Sequence, residues 1–179
     1  MNIKHYCLMS CLAFAVLQGC SSGFEEKTFT QSAFKIGNFA ADGKVALRFP
    51  RCDEYRGCKE EAFSANLHWL HKAPIDELSL YDPTGQEALK ITYQEQSIRL
   101  HDRSGEREIS HAQLAQELGL PIPVEKLREW LFAPQDKAKF TADGWQIEVD
   151  QWQGQYYRRL TMRQKDYYLR ILVNHVAVF

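Results

Sequence analysis

Between residues 43 and 101, apolar and polar side chains alternate in one short run after another, and the corners between the runs leave room only for the chain to reverse. Val45, Leu47 and Phe49 fall on one face against Lys44, Ala46 and Arg48. Phe63, Ala65, Leu67 and Trp69 oppose Ser64, Asn66 and His68, and Leu78 and Leu80 oppose Ser79 and Tyr81. Leu89, Ile91 and Tyr93 oppose Lys90 and Thr92, and Ile98 and Leu100 oppose Arg99 and His101. Successive side chains of an extended chain point to opposite faces, so this period of two marks strands with one buried face. The links are a loop holding Cys52 and Cys58, then HKAPID, DPTG, QEQ and DRSGE. A parallel pair needs a crossover of a dozen or more residues, so these strands form an antiparallel meander.

The middle of the chain changes period. Ser110 and Gln113 stand at capping-box spacing, Leu114 and Leu118 lie four apart, and Gly119 occupies a C-cap position, which predicts a helix over residues 110–118. Pro123 suits the first position of a second helix that carries Val124, Leu127, Trp130 and Leu131 to one side and stops at Pro134. Residues 28–39 give a weaker helical signal, broken by Gly37. Alternation resumes at Trp145, Ile147 and Val149, and again over residues 156–162 and 167–178. The expected fold is mainly β with some α: a curled antiparallel sheet, or incomplete β-barrel, of about eight to eleven strands lidded by helices. Whether its interior is a filled core or an apolar cavity is left open by the pattern.

At the N-terminus, Lys4 and His5 precede an apolar run over residues 6–17 that closes on Leu17-Gln18-Gly19-Cys20. A membrane-spanning helix needs roughly 20 apolar residues. This run is shorter and ends in small residues at a cysteine, as a lipoprotein signal does. The expected organisation is a signal peptide over residues 1–19, a tether over 20–27 whose Cys20 carries S-diacylglyceryl and N-acyl groups, and one domain over 28–179. The alternative is an ordinary signal cleaved elsewhere, since Gln18 stands where a small residue is usual.

With 22 basic and 23 acidic residues the chain has no electrostatic case for nucleic acid. Cys7 and Cys11 leave with the signal. Cys52 and Cys58 then read as a disulfide closing a short polar loop in an oxidising compartment, with a metal site as rival although no histidine stands at finger spacing. His68 and His71 fall on opposite faces of a strand, so they cannot share a metal, and both read as solvated. Nucleophile-elbow, phosphate-loop, zinc-protease and dinucleotide motifs are absent. The carboxylates at Glu60, Glu61, Glu106 and Glu108 read as solvated surface. No enzyme, metal or cofactor beyond the lipid on Cys20 is expected, with a catalytic pair assembled from distant segments as the open exception.

The lipobox and the segments GKVAL, FSANLHWLH, LSLYDPTGQEALKI and LGLPIPVEKLREWLFA stand in an order that resembles the LolB family of outer-membrane lipoprotein receptors. The resemblance covers residues 39–179 and is strongest over 67–133. It implies an incomplete barrel lidded by helices around a hydrophobic cavity, a fold shared with the soluble carrier LolA. It also implies a monomer that accepts acylated lipoproteins from a LolA–lipoprotein complex and inserts them into outer-membrane lipid. The inward residues Val45, Leu47, Leu67, Trp69, Leu78, Leu80, Leu89 and Ile91, with Leu127, Trp130 and Leu131 from the lid, become candidates for the acyl-chain cavity. Each has the alternative of simple core packing. Arg128 becomes the candidate that fixes the lid to the sheet.

In the family, a turn resembling NPLG touches the bilayer during delivery. The matching positions here are Asp82, Pro83, Thr84 and Gly85, with the amphipathic Tyr81 beside them, so a polar Thr84 stands where leucine is expected. Ser21 after Cys20 resembles an outer-membrane sorting signal, implying the periplasmic face. The alternative function is an outer-membrane-anchored lipid-binding or scaffold lipoprotein of the same fold that transfers no lipoprotein.

Overall fold

The computed structural model describes residues 25–26, 36–53, 55, 57–94, 97–118 and 124–179. In chain order its elements are β1 (Glu25–Glu26), β2 (Phe39–Asp53), β3 (Gly57–Lys72), β4 (Ile75–Tyr81), β5 (Glu87–Gln94), β6 (Ser97–Asp102), β7 (Gly105–Ile109), α1 (His111–Glu117), α2 (Val124–Phe132), β8 (Lys139–Ala142), β9 (Trp145–Trp152), β10 (Tyr157–Gln164) and β11 (Tyr167–Val178). They build one sheet in the order β1-β8-β9-β10-β11-β2-β3-β4-β5-β6-β7. Every pairing is antiparallel except that of β1 with β8.

Two meanders therefore share the sheet, and the last strand of the second lies against the first strand of the first. Arg48 pairs with Tyr168 and Val45 with Ile171 along that seam. β1 and β7 are the two edges, so the sheet does not close. Residues from β2 through β11 and from both helices nevertheless belong to one buried apolar cluster, which a flat sheet of this width could not achieve. The sheet curls around its core, with Trp69, Ile98, Trp130, Leu131, Ile147, Leu160 and Met162 fully enclosed.

The helices form where local chemistry favours them. Gln113 N–H donates to Ser110 Oγ at 3.2 Å and Ser110 N–H donates to Gln113 Oε1 at 2.8 Å, a reciprocal capping box at the start of α1. Leu114 is that helix's buried residue. Val124, Leu127, Trp130 and Leu131, spaced three and four apart, make the buried stripe of α2, which packs on β10.

Several expectations are corrected. Glu25 and Glu26, within the expected tether, pair with Phe140 and Thr141, adding main-chain bonds at the edge of β8 that the sequence did not signal. Phe39, read at the end of a weak helical segment, begins β2. β7 and β8 give little signal in sequence, because Gly-Glu-Arg-Glu-Ile carries one apolar residue and Lys-Phe-Thr-Ala is only four residues long. β2 and β3 run to 15 and 16 residues, well past Phe49 and Phe63, where the alternation stops because the far end has no core to face. His71, read as solvated, is buried. The signal peptide, Cys20, most of the N-terminal helical segment, Gly119 and Pro123 lie outside the described residues.

Candidate functional site

Successive reversals bring the β2–β3, β4–β5 and β6–β7 turns to the same end of the sheet. There the inward faces open into a cleft of about 390 Å³ whose walls include Leu47, Phe49, Phe63, Leu80, Leu89, Leu100 and Leu118. Pockets that enclose small ligands run to about 300–1,000 Å³. Glu61, Asp102 and Glu117 also line it. An aliphatic wall with carboxylates beside it can accept an alkyl chain and offers little to a compact polar substrate.

The carboxylates help to hold the helix in place. Arg107 Nη2 lies 2.9 Å from Asp102 Oδ2 and 3.3 Å from Glu117 Oε1, so one guanidinium ties the β6–β7 turn to the last residue of α1. The hydrogen bond from Arg107, then those from Ser104, hold the Asp102 carboxyl well below the ordinary carboxylate range. Sequence reasoning missed this clasp, because an Asp, an Arg and a Glu spread over fifteen residues look like any charged surface.

A second tie joins α2 to the opposite end of the sheet. The Arg128 guanidinium pairs with Asp76 Oδ2. The other carboxylate oxygen of Asp76 accepts a hydrogen bond from Trp69 Nε1–H at 2.9 Å and lies 3.0 Å from His71 Nδ1. Asp76 and His71 are each buried, whereas Arg128 is part-exposed. Burial is the largest influence on His71 and pushes its pKa down, against the Asp76 charge that pulls it up. Asp76 gave no signal in sequence, where it closes a turn.

The structure divides the eleven expected cavity residues. Leu47, Leu80 and Leu89 line the cleft. Val45, Leu67, Trp69, Leu78, Ile91, Leu127, Trp130 and Leu131 are instead buried in the common core cluster. Phe49, Phe63 and Leu100 shared the inward faces read from the alternation but were not singled out. Cys52 and Cys58 are joined by a disulfide.

The β4–β5 turn is held from within. Asp82 Oδ1 accepts from Thr84 N–H at 2.8 Å, Thr84 Oγ1–H at 2.6 Å and Gln86 N–H at 3.1 Å, and these bonds, the Thr84 hydroxyl first, lower the Asp82 pKa. Gly85 supplies a φ of 85° that other residues rarely adopt. Pro83, Thr84 and Gly85 are exposed, and Tyr81 is half-buried. Asp102-Arg103-Ser104-Gly105 repeats the design, with Ser104 N–H donating to Asp102 Oδ1 at 2.8 Å.

The family model described as outer membrane lipoprotein LolB matches residues 37–175, which include the cleft, both ties and the turn. The outer-membrane lipoprotein LolB of Pseudomonas paraeruginosa is 30% identical over 152 residues, covering 79% of this chain and 70% of that protein. The LolB of Vibrio campbellii is 29% identical over 152 residues, covering 78% and 69% respectively. Among solved structures, a LolA superfamily protein from Nitrosomonas europaea has a TM-score of 0.45 at 11% identity, covering 82% of this chain and 88% of that one.

Proposed function

Because the chain belongs to the LolB family of outer-membrane lipoproteins, we propose that it is a non-enzymatic receptor that takes acylated lipoproteins from a LolA-type carrier and places them in the outer membrane. In this reading Cys20 carries the lipid anchor, the domain spans residues 28–179, and the protein works as a monomer on the periplasmic face. The observation that carries the reading is the aliphatic cleft beneath the end of α1, open at the same end of the sheet as the β4–β5 turn.

The energetics fit such a task. Each methylene leaving water gains about 0.8 kcal/mol, so a sixteen-carbon chain resists the aqueous phase by on the order of 10 kcal/mol. A receptor has to replace the bilayer with an apolar pocket and still hold the chain less tightly than the bilayer does. The sequence has no nucleotide-binding motif, so transfer runs down an affinity gradient from carrier to receptor to membrane. The ties at Arg107 and Arg128 hold the two helices at separate places, so one end of the lid can loosen while the other stays fixed.

The test is to mix a LolA–lipoprotein complex with the lipidated protein in vesicles and follow the cargo. It is expected to leave the carrier and resist extraction from the vesicles. Cargo that stays on the carrier would defeat the reading.

One observation favours a second reading: ten of the eleven residues expected around a cavity belong to the one buried core cluster, and three of the eleven line the cleft. A lipid-binding or scaffold lipoprotein without transfer activity would have such an interior. Binding of a free phospholipid with no movement of lipoprotein would select it.

A further inference from the structure

The β2–β3 hairpin reaches past both of its neighbours. β11 pairs with β2 as far as Arg48, and β4 pairs with β3 as far as Asn66. Beyond them the two strands continue, paired among the described residues only with each other, to Asp53 and Gly57. At about 3.4 Å per residue, the hairpin apex lies roughly 25 Å of strand further out than the β4–β5 turn. The Cys52–Cys58 disulfide bridges directly opposed residues just below the apex. Tyr55, at the apex, is 93% exposed. Its backbone N–H donates to Asp53 Oδ1 at 2.8 Å, which ties Tyr55 to the end of β2.

Behind Tyr55 the side chains come in a definite order. Arg51 and Lys59 stand directly opposite each other, on the same face as Phe49 and Phe63. Like charges in this position oppose strand pairing. Glu61 offsets Arg51 across 3.3 Å between exposed groups, and Lys59 has no carboxylate partner among the described residues. Phe49 and Phe63 follow, and both line the cleft. Asp53, opposite Gly57 and bonded to the turn, and Glu61, opposite Phe49, share this face. Beside them, an exposed phenol, two cations and an apolar path into the cleft are what a finger needs to meet a bilayer surface. Tyrosine favours the boundary between headgroups and hydrocarbon, and Lys and Arg bind lipid phosphates.

We propose that the disulfide-closed β2–β3 hairpin is a membrane-contacting element of this protein, with Tyr55 entering the interface of a phospholipid bilayer and Arg51 and Lys59 meeting its phosphates. It reaches the bilayer before the polar Thr84 turn does, and rests on the reading that cargo is delivered to a bilayer. The full lipidated chain would be reconstituted in phosphatidylethanolamine–phosphatidylglycerol vesicles containing a photoactivatable phospholipid, and adducts mapped by mass spectrometry. Adducts are expected on residues 52–58, falling at least fivefold in Tyr55→Glu and severalfold in the double variant Arg51→Gln, Lys59→Gln. Equal labelling of Tyr55→Glu and the parent chain, or adducts confined to residues 82–85, would overturn the proposal. Cargo transfer measured in the same samples separates the two readings. Hairpin adducts on a chain that moves no cargo would support the finger and defeat the receptor function.

Discussion

Thr84 gives up its hydroxyl to Asp82 and adds only a methyl group to the exposed Pro83 ring as apolar surface at the tip of the β4–β5 turn. Thr84→Leu loses one hydrogen bond on an exposed turn, while its side chain gains part of the roughly 1.5–3 kcal/mol that a fully buried leucine is worth. Delivery of cargo into vesicles is expected to rise by about threefold with receipt from the carrier unchanged, as followed by cargo release and vesicle insertion in one assay. His71 sets a different dependence. Its pKa is depressed in the folded protein, so the unfolded chain binds the proton first as the pH drops below about 6.5. The stability contributed by the neutral ring is present above that value and is lost on acidification towards the folded pKa. Thermal melts between pH 7.5 and 5 are expected to fall more steeply for the parent chain than for His71→Asn. The slope is the readout, since the substitution itself disturbs the bonds to Asp76.

At the level of elements, the seam between β2 and β11 carries the most demanding contact. A Cβ on Gly43 would sit 2.0 Å from the Leu172 carbonyl oxygen, a backbone atom that cannot swing aside. Gly43→Ala is therefore expected to force the strands apart at the cost of about 1–3 kcal/mol, read as a lower urea midpoint. Gly85→Ala should cost less, because a Cβ there meets nothing within 4 Å and only the positive φ opposes it. The β2–β3 hairpin has no core to hold it beyond Phe63. Its disulfide closes a loop of sequence separation 6, which in the chain-entropy account is worth about 2 kcal/mol.

Across the whole molecule, the curled sheet gathers most of the described apolar side chains into one cluster and leaves the cleft at one end. Such a cleft can take a ligand only where shape remains, so filling it should abolish binding without unfolding the protein. A palmitoyl probe at about a hundredfold excess over its Kd is expected to stabilise the parent chain by about 2.7 kcal/mol. Leu89→Trp should reduce that shift to near zero while leaving the melting point of the free protein within a few degrees. An unchanged shift would place the acyl site elsewhere.

Much of this was legible in the amino-acid order. A period of two with short corners permits only antiparallel pairing, and the capping box at Ser110 and the apolar stripe of α2 mark the helices, because these patterns act over a few residues and need no distant partner. The inward faces of β2 to β6 followed from the same alternation. What the order could not say is how tightly those faces close on one another. Val45 and Leu47 look alike along the strand, yet Val45 lies in the common core while Leu47 also borders the cleft. Asp76, His71 and Arg128 are brought together across as many as 57 positions of sequence, and Arg107 clasps a helix that begins only after its own strand has ended. Local periodicity decided which side each residue faces. The curvature of the sheet decided which of those residues meet, because that depends on contacts between strands whose separation in sequence carries no pattern.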